Sequence, residues 1–367
     1  MKKILSCLMV LSISIITLLT PASATSTSLE PLTDNTILSY EYPIQPGTEE
    51  WEALETFSQR LEACRIPQDI LTNMSTDSLV DAVMNFPFLG NILIYDDTNI
   101  GYKNLISQCD AFRELLTRPD GPNALSEKYV SITSKFGTKQ NKAKVAYSGY
   151  EILYPMFLEV ILAQPEIYNS MDYSHQIKTE STTLEYNEGE LSYFDITMEK
   201  NEEKIVRATT TVQTPKGNDV PCTDYSNYPA FTNEVKQSMN DFVKTNFSII
   251  SIVRDPDRRY NCHSYAWYST SSTNRIWIDD PSLYMSDGSY SERSSPIANY
   301  KVFYYNDGSE SVPATGEVMG HHSGIVKSGS GNKTIITSKW GPYGLYTHYI
   351  YNSPYSGDRT DYSFWTR

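Results

Sequence analysis

The spacing of apolar residues changes along the chain, from helical in the first half to strand-like in the last third, and this change constrains the fold most. In GTEEWEALETFSQRLEACRIP, apolar residues recur at positions 51, 54, 57, 61 and 64. This is the spacing of one helix face, with Thr48 as the N-cap and Pro67 as the end. The pattern predicts an α-helix between Thr48 and Pro67, with Cys64 on its apolar face.

Helical patterns continue to about residue 170. NMSTDSLVDAVMNFP begins with a capping signal, and GYKNLISQCDAFRELLTRP carries Cys109 on its apolar face. A third stretch, KAKVAYSGYEILYPMFLEVILAQPEIY, contains Pro155, which should kink or divide it. We therefore predict a helical domain over residues 48–170. Cys64 and Cys109 are expected to be two buried thiols or one structural pair.

From about residue 175 the pattern becomes rich in threonine and β-branched residues. The segments HQIKTESTTLEY, LSYFDITM and KIVRATTTVQT are separated by the turn-forming segments NEGE, EKNEE and PKGND. This alternation predicts a small antiparallel β meander. AFTNEVKQSMNDFVKTNF predicts a helix after it. Residues 175–245 are thus expected to form a meander followed by a helix.

The last unit, residues 250–367, is rich in aromatic residues. The chain after Asp257 holds 4 of the 5 tryptophans and 14 of the 28 tyrosines. Short strand patterns occur in YKVFYY, HSGIVK, KTIITSKW and GLYTHYIY. They predict one helix followed by an antiparallel sheet, so the expected fold class of the chain is α+β.

The N-terminus has the pattern of an export signal. Two lysines precede an apolar run, and Ala22-Ser23-Ala24 matches a signal-peptidase site, so residues 1–24 are expected to be removed. Residues 25–47, rich in Ser, Thr and Pro, are expected to be a linker. No later apolar run reaches the roughly 20 residues that a bilayer requires. The sequence therefore predicts a secreted protein with no membrane contact after the leader is removed.

The charge of the chain argues against nucleic-acid binding. The formal net charge is −14, and loss of the leader removes two further lysines. Nucleic-acid affinity depends on basic residues that neutralise phosphates. Residues 260–367 are nearly neutral, with 8 basic and 9 acidic residues. This asymmetry indicates two modules with separate roles.

The stretch YNCHSYAW contains the cysteine with the most functional interest, Cys262. A nucleophilic thiol requires thiolate character, a positioned base and donors for the oxyanion. Two structural alternatives stay open. One is a Cys222–Cys262 disulfide, which export permits. The other is a zinc site, for which Cys262 and nearby histidines are suitable ligand types but have no supporting Cys-x-x-Cys or His-x-x-x-His spacing. No metal and no other cofactor is expected. The candidate zinc-ligating histidines are His263, His321, His322 and His348.

The order of three motifs resembles a known family. A helix with NCHSYAW, then HHSGIV about sixty residues later, then TIITSKWG, is similar to the NlpC-type and CHAP-type cysteine peptidases and amidases. The resemblance covers residues 250–367 and implies a compact papain-like domain acting on bacterial cell-wall peptides. It implies that Cys262 is the nucleophile and that His322, which directly precedes Ser-Gly-Ile-Val, is the general base. His263 and His321 are expected to be neighbours only.

In this family a third polar residue orients the base. The resemblance places this residue on the next strand, where the chain offers Thr337, Ser338, Lys339 and Trp340. His348, one strand further on, is the first candidate for the role and Ser338 the second, and a backbone carbonyl is a further alternative. The family's Gly-Asp pair at the start of the preceding strand is replaced here by Asn299-Tyr300. Tyr260, Asn261 and Trp340 are expected to be orienting or pocket residues. Five aromatic residues could line a substrate groove, and more than half of them are expected to lie in the core instead: Tyr260, Trp267, Trp277, Trp340 and Tyr346.

The leading hypothesis is a secreted thiol hydrolase that cleaves an amide bond, with peptidoglycan or another peptide as substrate and partner. One alternative is a secreted binding protein that has the fold without the chemistry. Another is a toxin-like cysteine hydrolase acting on proteins. The oligomeric state, the bond that is cleaved and the role of the helical region are left open.

Overall fold

The fold is taken from a computed structural model that describes residues 36–136, 150–187, 192–198, 208–305, 321–356 and 361–367. The predicted leader and the linker up to residue 35 lie outside these ranges. Residues 36–47 of the predicted linker lie against the helical part, where Ile37 pairs with Met74 and the Tyr42 hydroxyl donates to the Ala82 carbonyl at 3.2 Å.

Helices account for the first half of the described chain, and capping residues fix where several of them begin. Thr48, Thr56 and Ser75 each accept a hydrogen bond from a backbone amide in the following turn. Because Thr56 starts a new helix, the single helix predicted between Thr48 and Pro67 is two helices. The α-helices are α1 (Glu49–Glu52), α2 (Phe57–Ala63), α3 (Gln68–Asn73), α4 (Thr76–Met84), α5 (Thr98–Gln108), α6 (Asp110–Leu115), α7 (Gly121–Phe136), α8 (Tyr154–Leu162), α9 (Pro165–Tyr168), α10 (Tyr173–Tyr186), α11 (Tyr193–Thr197), α12 (Asn233–Asn246) and α13 (Ser282–Ser286).

The prediction of strands within residues 175–198 is wrong, because these residues form α10 and α11. Thr179 and Thr183, four residues apart, are buried against α7. Thr179 shares a hydrogen bond with Ser126 at 2.8 Å, and Thr183 accepts one from the Tyr129 hydroxyl at 3.2 Å. Tertiary packing of this threonine face outweighs the strand preference of a β-branched residue.

Two antiparallel sheets follow. The smaller has the strand order β1–β2–β4, and the larger has the order β3–β9–β8–β7–β6–β10–β5. The fold class is therefore α+β, as the sequence predicts. The strands are β1 (Ala208–Gln213), β2 (Asp219–Asp224), β3 (Ile249–Arg254), β4 (Ile276–Trp277), β5 (Ser291–Arg293), β6 (Lys301–Tyr305), β7 (His322–Ser328), β8 (Ile335–Lys339), β9 (Leu345–Tyr349) and β10 (Asp361–Thr366).

The two faces of the larger sheet pack against different apolar clusters. Because successive side chains of a strand point to opposite faces, neighbouring residues of β7 contact different clusters. On β7, Val326 lies in one apolar cluster with Tyr304, whereas Ile325 packs against another that contains Trp267. The second cluster also contains residues of the smaller sheet. The helical turn that follows Cys262, a π-helix at Ser264–Tyr268, therefore covers the Ile325 face.

The helical part and the larger sheet share one hydrophobic core. This core joins residues of α1 to α8 with Trp340, Tyr343, Tyr346 and Tyr355. Hydrogen bonds cross the same boundary, from the Tyr343 hydroxyl to the Gly90 carbonyl at 3.1 Å and from the Tyr95 hydroxyl to the Pro354 carbonyl at 3.0 Å. Residues 36–367 thus pack as one unit. In the described ranges, no helix has both the length and the hydrophobicity to cross a membrane.

Candidate active site around Cys262

Asn261 fixes the position of Cys262 at the start of its helical turn. The Asn261 side-chain oxygen accepts hydrogen bonds from the backbone amides of Ser264 at 3.0 Å and Ile278 at 3.2 Å. Its amide nitrogen donates to the Ile278 carbonyl at 2.7 Å and to the Asp96 carboxylate at 2.6 Å. All four hydrogen-bonding positions of the Asn261 amide are therefore used. As an N-cap, Asn261 holds Cys262 in the first turn.

The thiol of Cys262 is buried and only 1% exposed. Burial raises the pKa of Cys262 well above its usual value, and the nearby charge of Asp96 raises it further. Three features oppose this shift: the backbone amides of Ser323 and His263 donate to Sγ, and the Lys339 ammonium lies nearby. Burial has the largest effect, so Cys262 is a protonated thiol at neutral pH. Cys222 and Cys262 are both free thiols, so the disulfide between them is not formed.

His322 opens β7 and is completely buried. Its ring lies on the ring of Tyr355, with centroids 3.6 Å apart and planes 5° apart. Within the described ranges, neither ring nitrogen has a hydrogen-bonding partner. Burial lowers the pKa of His322 well below its usual value, and the neighbouring His348 and His263 lower it further. The imidazole is therefore neutral, and the described part of the chain offers its nitrogens no partner.

Cys262 and His322 approach the same region from different sides of the sheet. The side chains of successive residues on β7 point to opposite faces, and that of Ser323 faces the Cys262 turn, where its hydroxyl bonds His263 and Trp267. The side chain of His322 points to the opposite face of the sheet. The backbone amide of Ser323 donates to the Cys262 sulfur, and Tyr355, on which the His322 ring is stacked, also interacts with Cys262. In the described structure, no hydrogen bond joins the thiol to His322.

The two residues considered for orienting His322 bond each other instead. Nδ1 of His348 lies 2.8 Å from the Tyr349 carbonyl, which can only accept, so this nitrogen carries the proton. Nε2 therefore accepts from the Ser338 hydroxyl at 2.8 Å, and the same hydroxyl accepts from the Trp340 indole at 3.0 Å. His348 is close enough to His322 to lower its pKa. Neither His348 nor Ser338 bonds its ring.

Most of the aromatic residues near the site belong to the core. Trp340 is completely buried between Phe247 and Tyr346 and does not border open space. Tyr260 is also buried, and its ring lies 4.7 Å from the Lys339 ammonium. Five aromatic residues predicted as groove or core are all buried: Tyr260, Trp267, Trp277, Trp340 and Tyr346.

Two charged residues at the site were not identified from the sequence. Asp96, after the apolar run NILIY, brings its carboxylate to Cys262 and His263. Burial of this carboxylate raises the pKa of Asp96 to about 7, although the residue as a whole is exposed. Lys339 is buried and donates to the carbonyls of Gly341 and, at 2.7 Å, Tyr343. Burial lowers the pKa of Lys339 to about 7. The only sequence signal for Asp96 was a charged pair directly after a buried segment.

Comparisons with family models, curated proteins and solved structures give no match to this chain. The likeness to the NlpC-type and CHAP-type enzymes therefore rests on the three motifs alone.

Proposed function

We propose that the chain is a secreted thiol hydrolase that cleaves an amide bond in peptidoglycan peptides, with Cys262 as nucleophile and His322 as general base. The observation that carries this proposal is the buried, neutral ring of His322, whose two nitrogens have no hydrogen-bonding partner within the described ranges and which lies close enough to His263 of the Cys262 turn for that residue to lower its pKa. Leaving a buried polar group without a partner costs about 1–3 kcal/mol. Such a cost is tolerated most readily where the group has a chemical role.

The chemistry follows from the protonation states. The thiol of Cys262 and the imidazole of His322 are both uncharged at neutral pH, so His322 has a lone pair free for the thiol proton, but burial of both groups opposes the transfer before Sγ attacks the substrate carbonyl. The resulting imidazolium protonates the leaving amine as the C–N bond breaks. Water then hydrolyses the thioester and restores the thiol. A general base acts directly or through one water, and no hydrogen bond joins the thiol to His322 within the described ranges, so the proposal requires the two groups to come within that reach when substrate binds.

The surroundings of Sγ favour formation of the thiolate during the reaction. The amides of His263 and Ser323 donate to the sulfur, and the Lys339 ammonium supplies positive charge. These groups are already in place before substrate arrives, so they need little reorganisation. They stabilise the charged nucleophile that burial disfavours at rest.

The burial of both groups favours a second candidate function. Cys262 and His322 are at most 1% exposed, and no hydrogen bond joins them in the described part of the chain. A secreted binding protein with this fold and no hydrolytic activity would show the same resting arrangement. A toxin-like hydrolase acting on proteins would use the same residues on another substrate. The substrate therefore has to be tested separately from the chemistry.

The experiment uses the mature full-length chain, because the sheet and the helices share one core. Purified peptidoglycan is incubated with the protein, and new amino termini are counted. The test variants are Cys262→Ala and His322→Gln. The matched controls are Cys222→Ala, which removes another buried free thiol, and His175→Gln, which changes a histidine outside the site.

We expect release by the unaltered protein and by both controls. Loss of the base should lower the rate about 10²–10⁴-fold. Release by Cys262→Ala at the unaltered rate would refute the proposal. If no cell wall is cleaved but a protein mixture is, in a Cys262-dependent way, the toxin-like function is correct. Cleavage of neither substrate, together with no labelling of Cys262 by a peptidyl electrophile, would indicate the binding protein.

A further inference from the structure

Three side chains that commonly bind metals converge at the start of the Cys262 turn. A carboxylate oxygen of Asp96, Sγ of Cys262 and a ring nitrogen of His263 all lie within 4.8 Å of one another. Zinc binds such ligands at about 2.0–2.3 Å in tetrahedral geometry, which places the donor atoms ~3.3–3.8 Å apart. We infer that Asp96, Cys262 and His263 form a site for a divalent ion of the zinc class, with a fourth position for water.

The hydrogen bonds of His263 suit this role. Nδ1 lies 2.8 Å from the Ser323 hydroxyl oxygen, which also accepts from the Trp267 indole at 2.9 Å. A hydroxyl can accept two hydrogen bonds, so Nδ1 can carry the proton and donate it to Ser323. Nε2 then keeps its lone pair for the ion. Metal-binding histidines are usually oriented in this way by a partner on the other ring nitrogen.

Asp96 is also held by a neighbouring group. One carboxylate oxygen accepts from the Asn261 amide at 2.6 Å, which leaves the other oxygen for the ion. Because Asp96 is exposed whereas Cys262 and His263 are buried, an ion can enter from the side of Asp96. The same Asn261 caps the turn that carries the other two ligands. One side chain thus sets the relative position of all three.

The hydrogen bonds to Sγ of Cys262 also suit a metal-bound thiolate. The amides of His263 and Ser323 donate to Sγ, as amides often do to a metal-bound thiolate. On binding, Cys262 loses its thiol proton to solvent as the metal–sulfur bond forms. The two anionic ligands, Asp96 and Cys262, balance the charge of the divalent ion. A thiolate together with an imidazole selects zinc over magnesium or calcium.

This site goes beyond the proposed hydrolase and does not depend on it. A divalent ion withdraws charge from a bound thiolate and occupies the space beside it, so the metal-loaded state of Cys262 is a weaker nucleophile than the free thiolate. Metal binding can be measured whether or not any substrate is cleaved. Failure of one proposal therefore leaves the other standing.

The test is titration of the metal-free, full-length protein with Co²⁺, which takes zinc sites and reports thiolate ligation by a charge-transfer absorption in the near ultraviolet. The variants are Cys262→Ser, Asp96→Asn and Ser323→Ala. Cys222→Ser and His175→Gln are matched controls outside the cluster. Circular dichroism establishes that each variant is folded, and Asp96→Asn keeps the size of the side chain and an oxygen that can accept from Asn261.

We expect one equivalent of Co²⁺ to give the charge-transfer band in the unaltered protein and in both controls, and Zn²⁺ to displace it. Cys262→Ser should abolish the band, and Asp96→Asn should weaken affinity at least tenfold. Ser323→Ala should keep the band with an affinity about 10–100-fold lower. Absence of the band in the unaltered protein, or its persistence in folded Cys262→Ser, would overturn the inference.

Discussion

The ring of His322 lies flat on the ring of Tyr355, at 3.6 Å between centroids, and the hydroxyl of Tyr355 donates to the Ile94 carbonyl at 2.7 Å. The proposed base therefore rests on a side chain that also holds the helical half of the molecule. Ile94 lies two residues before Asp96, so the same contact sets the position of the Asp96 carboxylate. The helical region is in this way part of the site.

Two substitutions at Tyr355 should measure separately what its stack on His322 and its hydrogen bond to Ile94 contribute to stability. Tyr355→Phe keeps the ring on His322 and removes the donor to Ile94, so we expect a loss of about 1–3 kcal/mol in the free energy of unfolding. Tyr355→Leu also removes the stack and should lose about 1 kcal/mol more. Urea unfolding at neutral pH measures both. Equal free energies for the two variants would show that the stack contributes nothing to stability.

Gly341 has no room for a side chain. A Cβ at this position would collide with the Ile94 carbonyl oxygen, and its φ of +46° is in the left-handed region. The matched control is Gly331, whose φ is +53° and whose Cβ would meet nothing within 4 Å. Gly331→Ala should cost only the backbone strain, about 1–2 kcal/mol.

Gly341→Ala should cost about 1–3 kcal/mol more than Gly331→Ala, because overpacking is added to the strain. It should also move Ile94 away from the sheet and with it Asp96, so Co²⁺ affinity should fall together with stability. Thermal or urea unfolding of the two variants is sufficient to compare them. If both lose the same free energy, the close approach of Gly341 to Ile94 is not a constraint.

Local signals predicted the cap at Thr48 and a helix within AFTNEVKQSMNDFVKTNF, but they did not show that the stretch from Thr48 to Pro67 is divided into two helices at Thr56. The helix Tyr173–Tyr186 was missed because the contacts that stabilise Thr179 and Thr183 in a helix are made with α7, about fifty residues earlier. The sequence separates Asp96 from Asn261 by an even longer stretch. Their hydrogen bond exists only because Gly341 and Tyr355 hold the segment at Ile94. Cys262 was proposed from its flanking motif, whereas the residues around it depend on long-range packing, which the sequence does not show.

Arg60 is a buried cation that joins α2 to the segment between α12 and β3. Its guanidinium donates to the carbonyls of Leu54 at 3.2 Å and Asn246 at 2.9 Å and to the Ser248 hydroxyl, and it lies 5.4 Å from the Trp51 ring. Arg60→Met keeps most of the volume and removes the donors. We expect a loss of about 3 kcal/mol, because hydrogen bonds to charged groups contribute about 1.5–3 kcal/mol each and buried acceptors are left unpaired.

The matched control for Arg60 is Arg65→Met, since the Arg65 side chain is 45% exposed and pairs with Asp110 at 2.9 Å. Asp110 is buried, but it also accepts from Arg113 and from the Ile66 amide, so it keeps partners in Arg65→Met, and we expect a loss of about 1 kcal/mol or less. Chemical denaturation of the two variants gives the comparison. A loss for Arg60→Met no larger than that for Arg65→Met would show that Arg60 does not join the two parts of the fold.

The buried His348 should make stability depend on pH in the acidic range. Burial lowers the pKa of His348 to about 4, while its pKa in the unfolded chain is about 6.5. Between these values the unfolded chain binds a proton that the folded chain does not. The stabilisation is therefore complete above about pH 6.5 and is lost as the pH falls toward 4. The neighbouring His322 shifts in the same direction.

Each such imidazole adds about 1.4 kcal/mol per pH unit to the slope of stability against pH in this window. His348→Gln keeps a polar group near Ser338 and removes one titrating site. Its free energy of unfolding should be lower at pH 7, and its slope between pH 6 and 5 should be smaller by the contribution of one proton. Urea unfolding at pH 7, 6 and 5 measures both quantities. An unchanged slope in the variant would mean that His348 is protonated in the folded protein.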